Sequence, residues 1–305
     1  MYRTILVPID GSALSESAVP LARAIAVASQ AAIVLLRVVP PADARADDAP
    51  AHPTAELQAA EEYLATLAAR LGPPPTIQTA LAMGDPATVI LDEAARRSAD
   101  LIVMSTHGRT GLGRFIYGSV ADYVMRHATS PVLLVPADAH VDLPTRRPPR
   151  ILVPLDGSPL AEGALGPAAE LARSLGGELC LVRVVEPHPP LYGDPSSYML
   201  MDPTAELDAA RAYLQNVRST LPVGELKVTA IDAFGFSAST LIATARQENV
   251  DVVAMSTHGN GGITRLIMGS VATRVVQRAG LPILIVRPGV AAPVPAELAT
   301  SAARS

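Results

Sequence analysis

Short runs of aliphatic and β-branched residues recur along the chain, separated by longer alanine-rich stretches whose apolar positions fall at helical spacing. In the first half this pattern predicts strands near 3–9, 32–39, 76–82, 100–105 and 131–136, and helices near 13–29, 54–71, 86–98 and 118–128. Ser12 and Ser158 stand where helix N-caps are expected. Pro159, Pro53 and Pro203 suit first helical positions, since the missing N–H is not needed there. Strands alternating with helices predict an α/β fold built from successive βα units around a doubly wound parallel sheet.

The pattern then repeats. Ile5-Leu6-Val7-Pro8-Ile9-Asp10-Gly11-Ser12 returns as Ile151-Leu152-Val153-Pro154-Leu155-Asp156-Gly157-Ser158, and Ser105-Thr106-His107-Gly108 returns as Ser256-Thr257-His258-Gly259. Gly118-Ser119-Val120 reappears as Gly269-Ser270-Val271, and Pro131 to Val135 as Pro282 to Val286. Order and spacing are kept apart from a small insertion around Pro187 to Met201, so the chain is a duplicated domain. The expected organisation is two tandem five-stranded Rossmann-like domains, 1–140 and 150–288, joined by the Pro- and Arg-rich stretch 136–150. A flexible tail over 289–305, rich in Ala and Pro, follows.

Bulk composition agrees with that picture and narrows the partners. A chain of 305 residues, 49% hydrophobic and 17% charged, can bury two cores. Its mean hydropathy of +0.30 suits strands covered on both faces. The formal charge of -5 provides no broad positive field, so nucleic acid and anionic membrane surfaces are not expected partners. No apolar run approaches the roughly 18 residues of a membrane span, and Ile5 to Ile9 is cut off by Asp10, unlike a secretion signal. A cytoplasmic protein is expected. Cys180, the single cysteine, sits in an apolar run and reads as a small buried hydrophobe.

Ligands of open parallel sheets bind beyond the carboxyl ends of the strands, at the topological switch point. Two segments fit: the turn Pro8-Ile9-Asp10-Gly11-Ser12 after the first strand, and the loop from Ser105 to Ser119 after the fourth. In that loop Gly108, Gly111, Gly113 and Gly118 let backbone amides turn toward phosphate oxygens, and a helix N-terminus follows. A tight turn explains glycine equally well, but the loop recurs from Ser256 to Ser270 at equal length, with nine residues between Gly108 and Gly118 and again between Gly259 and Gly269. Equal length points to a fixed task, either ligand binding or packing. Ser119 and Ser270 are open to two roles, phosphate donor or helix cap. Arg109, Arg114 and Arg265 could add charge or lie solvated. Asp10 and Asp156 could accept from a ribose hydroxyl or an adenine amino group, or simply form the turn. His107 and His258 have no carboxylate partner in their loops and read as structural or ligand-lining rather than as general bases.

These residues together resemble the universal stress protein family, whose nucleotide-binding members carry Gly, two residues, Gly, nine residues, then Gly and Ser or Thr. Gly108 to Gly118-Ser119 and Gly259 to Gly269-Ser270 match the later part of that pattern, while Ser105 and Ser256 replace its first glycine. The resemblance covers both halves. It implies that Asp10 and Asp156 face adenosine, that Val38 and Val184 offer backbone groups to adenine, and that Met104 and Met255 line the pocket. It further implies that Gly108, Gly118, Ser119 and Val120, with Gly259, Gly269, Ser270 and Val271, hold the phosphates; Ser105 and Ser256, small residues at the replaced glycine positions, and Arg109 are counted with the same site. The implied ligand is ATP with magnesium, and the implied role is stress adaptation as a nucleotide-dependent regulator answering to an unknown regulatory protein. Family members pair through the last strand of each domain, which implies a homodimer or an intrachain pseudo-dimer. Two other readings stay open: a slow magnesium-dependent ATPase and a protein-interaction scaffold without nucleotide. Against familiar enzymes, no Gly-x4-Gly-Lys-Ser/Thr loop is present, and Lys227, the only lysine, follows no such glycines.

Overall fold

The structure, a computed structural model, describes residues 1–41, 53–106, 118–136, 143, 147–187, 203–222, 224–257 and 269–287. The chain folds as two compact units, divided between Leu143 and Pro144. The linker residues 137–142 and 144–146 and the tail 288–305 lie outside the described residues.

The first unit runs β1 (Thr4–Pro8), α1 (Ala13–Glu16), α2 (Val19–Ser29), β2 (Ala32–Val39), α3 (Pro53–Leu71), β3 (Ile77–Met83), α4 (Pro86–Arg96), β4 (Leu101–Ser105), α5 (Ser119–His127) and β5 (Val132–Val135). Its strands are parallel and lie in the order β3-β2-β1-β4-β5. The second unit repeats this as β6 (Arg150–Pro154), α6 (Pro159–Glu162), α7 (Leu165–Ser174), β7 (Glu178–Val185), α8 (Thr204–Thr220), β8 (Val228–Phe234), α9 (Ser237–Gln247), β9 (Val252–Ser256), α10 (Ser270–Arg278) and β10 (Ile283–Val286), ordered β8-β7-β6-β9-β10. Right-handed crossovers from β1 to β2 to β3 put α2 and α3 on one face of the sheet. The return to β4 puts α4 and α5 on the other. Each unit is thus the doubly wound five-stranded sheet that the pattern predicts.

Cover on both faces explains the unbroken apolar runs: every residue of β4, β5, β9 and β10 is buried. Helices add matching stripes, as in α5, where Ala121, Val124 and Met125 point inward at helical spacing. Burial of a side chain such as Ile102 or Leu133 contributes about 1.5–3 kcal/mol. Cys180 is buried in β7, and desolvation pushes its thiol up, as suits a packing residue. At the opposite end of the sheet from the loops, Asp100 accepts the Arg3 and Thr4 amides at 2.8 and 2.9 Å, fixing the start of β1. Asp251 does the same for Arg150 at 2.7 Å.

Two expectations need correction. The single helix expected over 13–29 is broken at Ser17 and Ala18, because Pro20 near the start of α2 has no N–H to offer the turn before it. Pro203 is the N-cap of α8 rather than its first residue, whereas Pro53 and Pro159 do open α3 and α6.

Cap chemistry differs between the copies. Asp85 caps α4 by accepting the Thr88 amide at 2.9 Å and its hydroxyl at 2.8 Å. Phe236 holds the corresponding place before α9, and the first amide of α9, Ser237, is taken instead by Glu186 at 2.9 Å. Asp85→Ala is expected to cost about 1 kcal/mol, read as a lower urea midpoint for the first unit. The Thr88 bonds hold the Asp85 carboxyl below the usual carboxylate range. Its stabilisation is therefore present at neutral pH and is lost as pH falls through the lowered folded-state value.

Candidate functional site

In this strand order β1 lies between β2 and β4, and the chain leaves β1 toward one side and β4 toward the other. The turn after β1 and the end of β4 therefore flank the crevice where such sheets take ligands. Asp10 follows β1 by two residues, and Ser105 ends β4. The hydroxyl of Ser17, at the end of α1, reaches the Ser105 hydroxyl at 3.4 Å across that crevice.

Asp10 is a turn-former in fact. Its Oδ1 accepts the Ser12 amide at 2.9 Å and the Ser12 hydroxyl at 2.6 Å, and Ser12 Oγ in turn caps α1 through the Ser15 amide at 3.1 Å. Asp156, Ser158 and Ala161 repeat the arrangement at 2.9, 2.5 and 3.1 Å. The two N-caps expected at Ser12 and Ser158 are both formed. The intervening Gly11 and Gly157 have φ of +83 and +85, which only glycine adopts without strain.

Val38 owes its place to strand parity. Backbone groups of alternate residues in a parallel strand point to the same neighbour. Leu36 O accepts the Ile9 amide at 2.8 Å, and Val39 O accepts the Gly84 amide at 3.1 Å. Val38 therefore directs its N–H and C=O to the β1 side, beyond the point where β1 has ended. Val184 is aimed likewise, since Val182 O takes the Leu155 amide at 2.8 Å and Val185 O the Gly235 amide at 3.0 Å. Met104 and Met255 are buried one residue before the ends of β4 and β9, next to the buried Ser105 and Ser256.

The two ends of each long loop are joined. The Gly118 amide donates to Thr106 O at 2.8 Å, and the Gly269 amide donates to Thr257 O at 2.8 Å. Gly108, Arg109, Arg114, Gly259 and Arg265, with His107 and His258, lie outside the described residues. Gly118 and Gly269 are the N-caps of α5 and α10, so Ser119 and Ser270 are first helical residues rather than caps. Both serines are exposed, neither helix has a side-chain cap among the described residues, and Val120 and Val271 follow half-buried. The leading amides of α5 and α10 thus carry the partial positive charge of a helix start, with no side-chain acceptor among the described residues.

Glycine is not required at these two caps by the backbone or by the described neighbours. Gly118 has φ −62 and Gly269 φ −57, both open to any residue. Among the described residues, a Cβ would meet only Thr106 O at 3.7 Å or Thr257 O at 3.5 Å, ordinary contacts. Glycine thus places no side chain next to the first amides of α5 and α10.

A constellation that the sequence reading missed surrounds the β1 turn. The Arg37 guanidinium of β2 lies against Gly11 and over the Tyr63 ring of α3, 5.1 Å from its centroid. Tyr63 donates its hydroxyl to Glu16 Oε1 of α1 at 2.6 Å, and Arg70 also pairs with Glu16. Burial and the neighbouring carboxylate raise the Tyr63 phenol above its usual range. Arg183 repeats this over Tyr213 at 4.6 Å and against Gly157, with Tyr213 donating to Glu162 at 2.7 Å. The signal available in the sequence was recurrence of Glu16, Arg37 and Tyr63 as Glu162, Arg183 and Tyr213 in the duplicated halves.

Among the described residues no group of His, Cys, Asp or Glu is placed to hold a metal ion, and no helix is long and apolar enough to cross a membrane.

The universal stress protein family model matches the chain twice, over residues 1–136 and 149–287. A universal stress protein of Mycolicibacterium smegmatis is 31% identical over 299 residues, spanning 93% of this chain and 97% of its own. Universal stress protein MJ0531 of Methanocaldococcus jannaschii is 35% identical over 142 residues, 44% of this chain and 82% of that one. Among solved structures, a universal stress protein from Archaeoglobus fulgidus superposes with a TM-score of 0.66 at 21% identity, covering 94% of this chain and 98% of that chain, a likeness of fold. With the family model matched in both halves and a relative aligned along nearly the whole length, the chain belongs to the universal stress protein family, as a tandem member.

Proposed function

We propose that each unit binds one molecule of ATP in the crevice between the β1 turn and the β4 loop, and that the chain acts in stress adaptation as a nucleotide-dependent regulator. The observation that carries this reading is the pair Gly118 and Gly269: glycines that neither backbone nor described neighbours require, each opening a helix with no side-chain cap among the described residues. That arrangement suits the phosphates, with the Ser119 and Ser270 hydroxyls adding donors. At the other end, the Val38 and Val184 backbone groups suit the adenine edge. This leaves the ribose hydroxyls to Asp10 and Asp156, whose Oδ1 atoms are already engaged by the turn. Magnesium would arrive on the triphosphate. Binding and release, rather than turnover, is the proposed activity, sensed by an unidentified regulatory protein, and pairing of the chain as a dimer is part of the same proposal.

Equilibrium dialysis with labelled ATP tests the assignment of the aspartates. Asp10→Asn with Asp156→Asn keeps a side-chain oxygen for the turn and removes the charge. It is expected to leave the circular dichroism spectrum unchanged and to weaken ATP by about tenfold, as loss of a charge-assisted hydrogen bond does. Unaltered affinity in the double variant would remove the aspartates from the site.

A further inference from the structure

Arg37 of β2 is held at the β1 turn by two contacts, one of which is itself anchored. The guanidinium lies against Gly11, the Tyr63 ring of α3 stands beneath it, and the Tyr63 hydroxyl is tied to Glu16 of α1. The second copy rebuilds the same contacts from Arg183, Gly157, Tyr213 and Glu162, although the chain between arginine and tyrosine is longer there. The ion pair of Arg70 with Glu16 is not rebuilt, since Thr220 occupies the corresponding end of α8. What recurs is therefore the guanidinium on the glycine, the ring under the guanidinium and the carboxylate on the ring hydroxyl.

The glycine that each arginine covers is the residue directly after Asp10 or Asp156, at a φ that an unconstrained chain leaves readily. At Gly157 a Cβ would stand 2.8 Å from Arg183 Nη1, so the guanidinium occupies the room that glycine vacates. A flat, delocalised cation fits between a backbone turn and an aromatic face in a way that a lysine ammonium does not.

Resting on the nucleotide reading of this pocket, we propose that Arg37 and Arg183 are positioning residues, clamping the turn so that Asp10 and Asp156 select ligands by their ribose hydroxyls. The guanidinium acts through the turn and does not touch the ligand. Its loss frees the aspartate to swing, which weakens a ligand bearing ribose hydroxyls and spares one lacking them.

The test is calorimetric titration of the full-length, nucleotide-stripped chain with ATP and with 2′,3′-dideoxy-ATP. Wild-type protein is expected to favour ATP by about tenfold. Arg37→Met with Arg183→Met keeps the apolar stem but removes the flat cation; it is expected to bring that ratio close to one by weakening ATP alone. The same substitution placed on Asp10→Asn and Asp156→Asn is expected to change nothing further, because the two act as one unit. Tyr63→Phe with Tyr213→Phe keeps the ring and is expected to retain most of the preference. An unchanged ratio in the arginine variant, or equal weakening of both ligands with a native circular dichroism spectrum, overturns the positioning role while leaving nucleotide binding intact. Failure of wild-type protein to bind either ligand overturns both.

Discussion

Gly118→Val combined with Gly269→Val is expected to abolish saturable ATP binding, a loss of at least about 100-fold, in a chain that still folds. The reason lies in what surrounds the two caps. Their φ values of −62 and −57 suit valine, and the first side-chain carbon meets only a carbonyl oxygen at 3.7 or 3.5 Å among the described residues. A poorer cap at each helix costs about 1 kcal/mol, small against the stability of a domain of this size. The branched methyls, however, bring bulk next to the first α5 and α10 amides, where the proposed phosphates would approach. Calorimetry and circular dichroism on the same sample separate the two effects. A folded double variant that binds ATP as wild-type protein does would exclude these helix starts from the site.

The opposite outcome is expected at Gly11 and Gly157, where alanine attacks the fold itself. Positive φ costs a side-chain-bearing residue about 1–2 kcal/mol, and the new methyl must displace an arginine guanidinium seated on the turn, adding about 1–3 kcal/mol. Each substitution is expected to lower the urea midpoint of its own unit, Gly11→Ala the first and Gly157→Ala the second, and to weaken ATP by loosening the aspartate. Midpoints within error of wild type would show that the guanidinium yields freely and that the clamp is slack. The contrast between the two glycine pairs distinguishes a glycine kept for its backbone conformation from one kept for its lack of a side chain.

Much of this was legible in the chain. Apolar runs located the five strands of the first unit and the repeat extended them to the second, because a parallel sheet buried on both faces tolerates few polar residues, and Ser12 and Ser158 marked their helices by the chemistry of an N-cap. Helical periodicity alone did not register that Pro20 deprives the preceding turn of a donor, so one helix was expected where two form. Position could not decide between turn and ligand roles for Asp10; hydrogen bonds to Ser12 establish the first. Nor could spacing locate the caps of α5 and α10 at glycine, which turns the adjoining serines outward. The Arg37, Tyr63 and Glu16 cluster was beyond reach for a different reason. Its members lie on a strand and two helices far apart in sequence, and only the crossover geometry of the sheet brings them to one turn.

The most direct test of nucleotide binding is calorimetric titration of ATP with magnesium into folded, nucleotide-stripped wild-type protein. Saturable binding approaching two molecules per chain is the predicted result, one for each glycine-capped crevice. Absence of saturable binding in protein with a native circular dichroism spectrum would contradict it, and the chain would then be a scaffold whose crevices serve protein contacts.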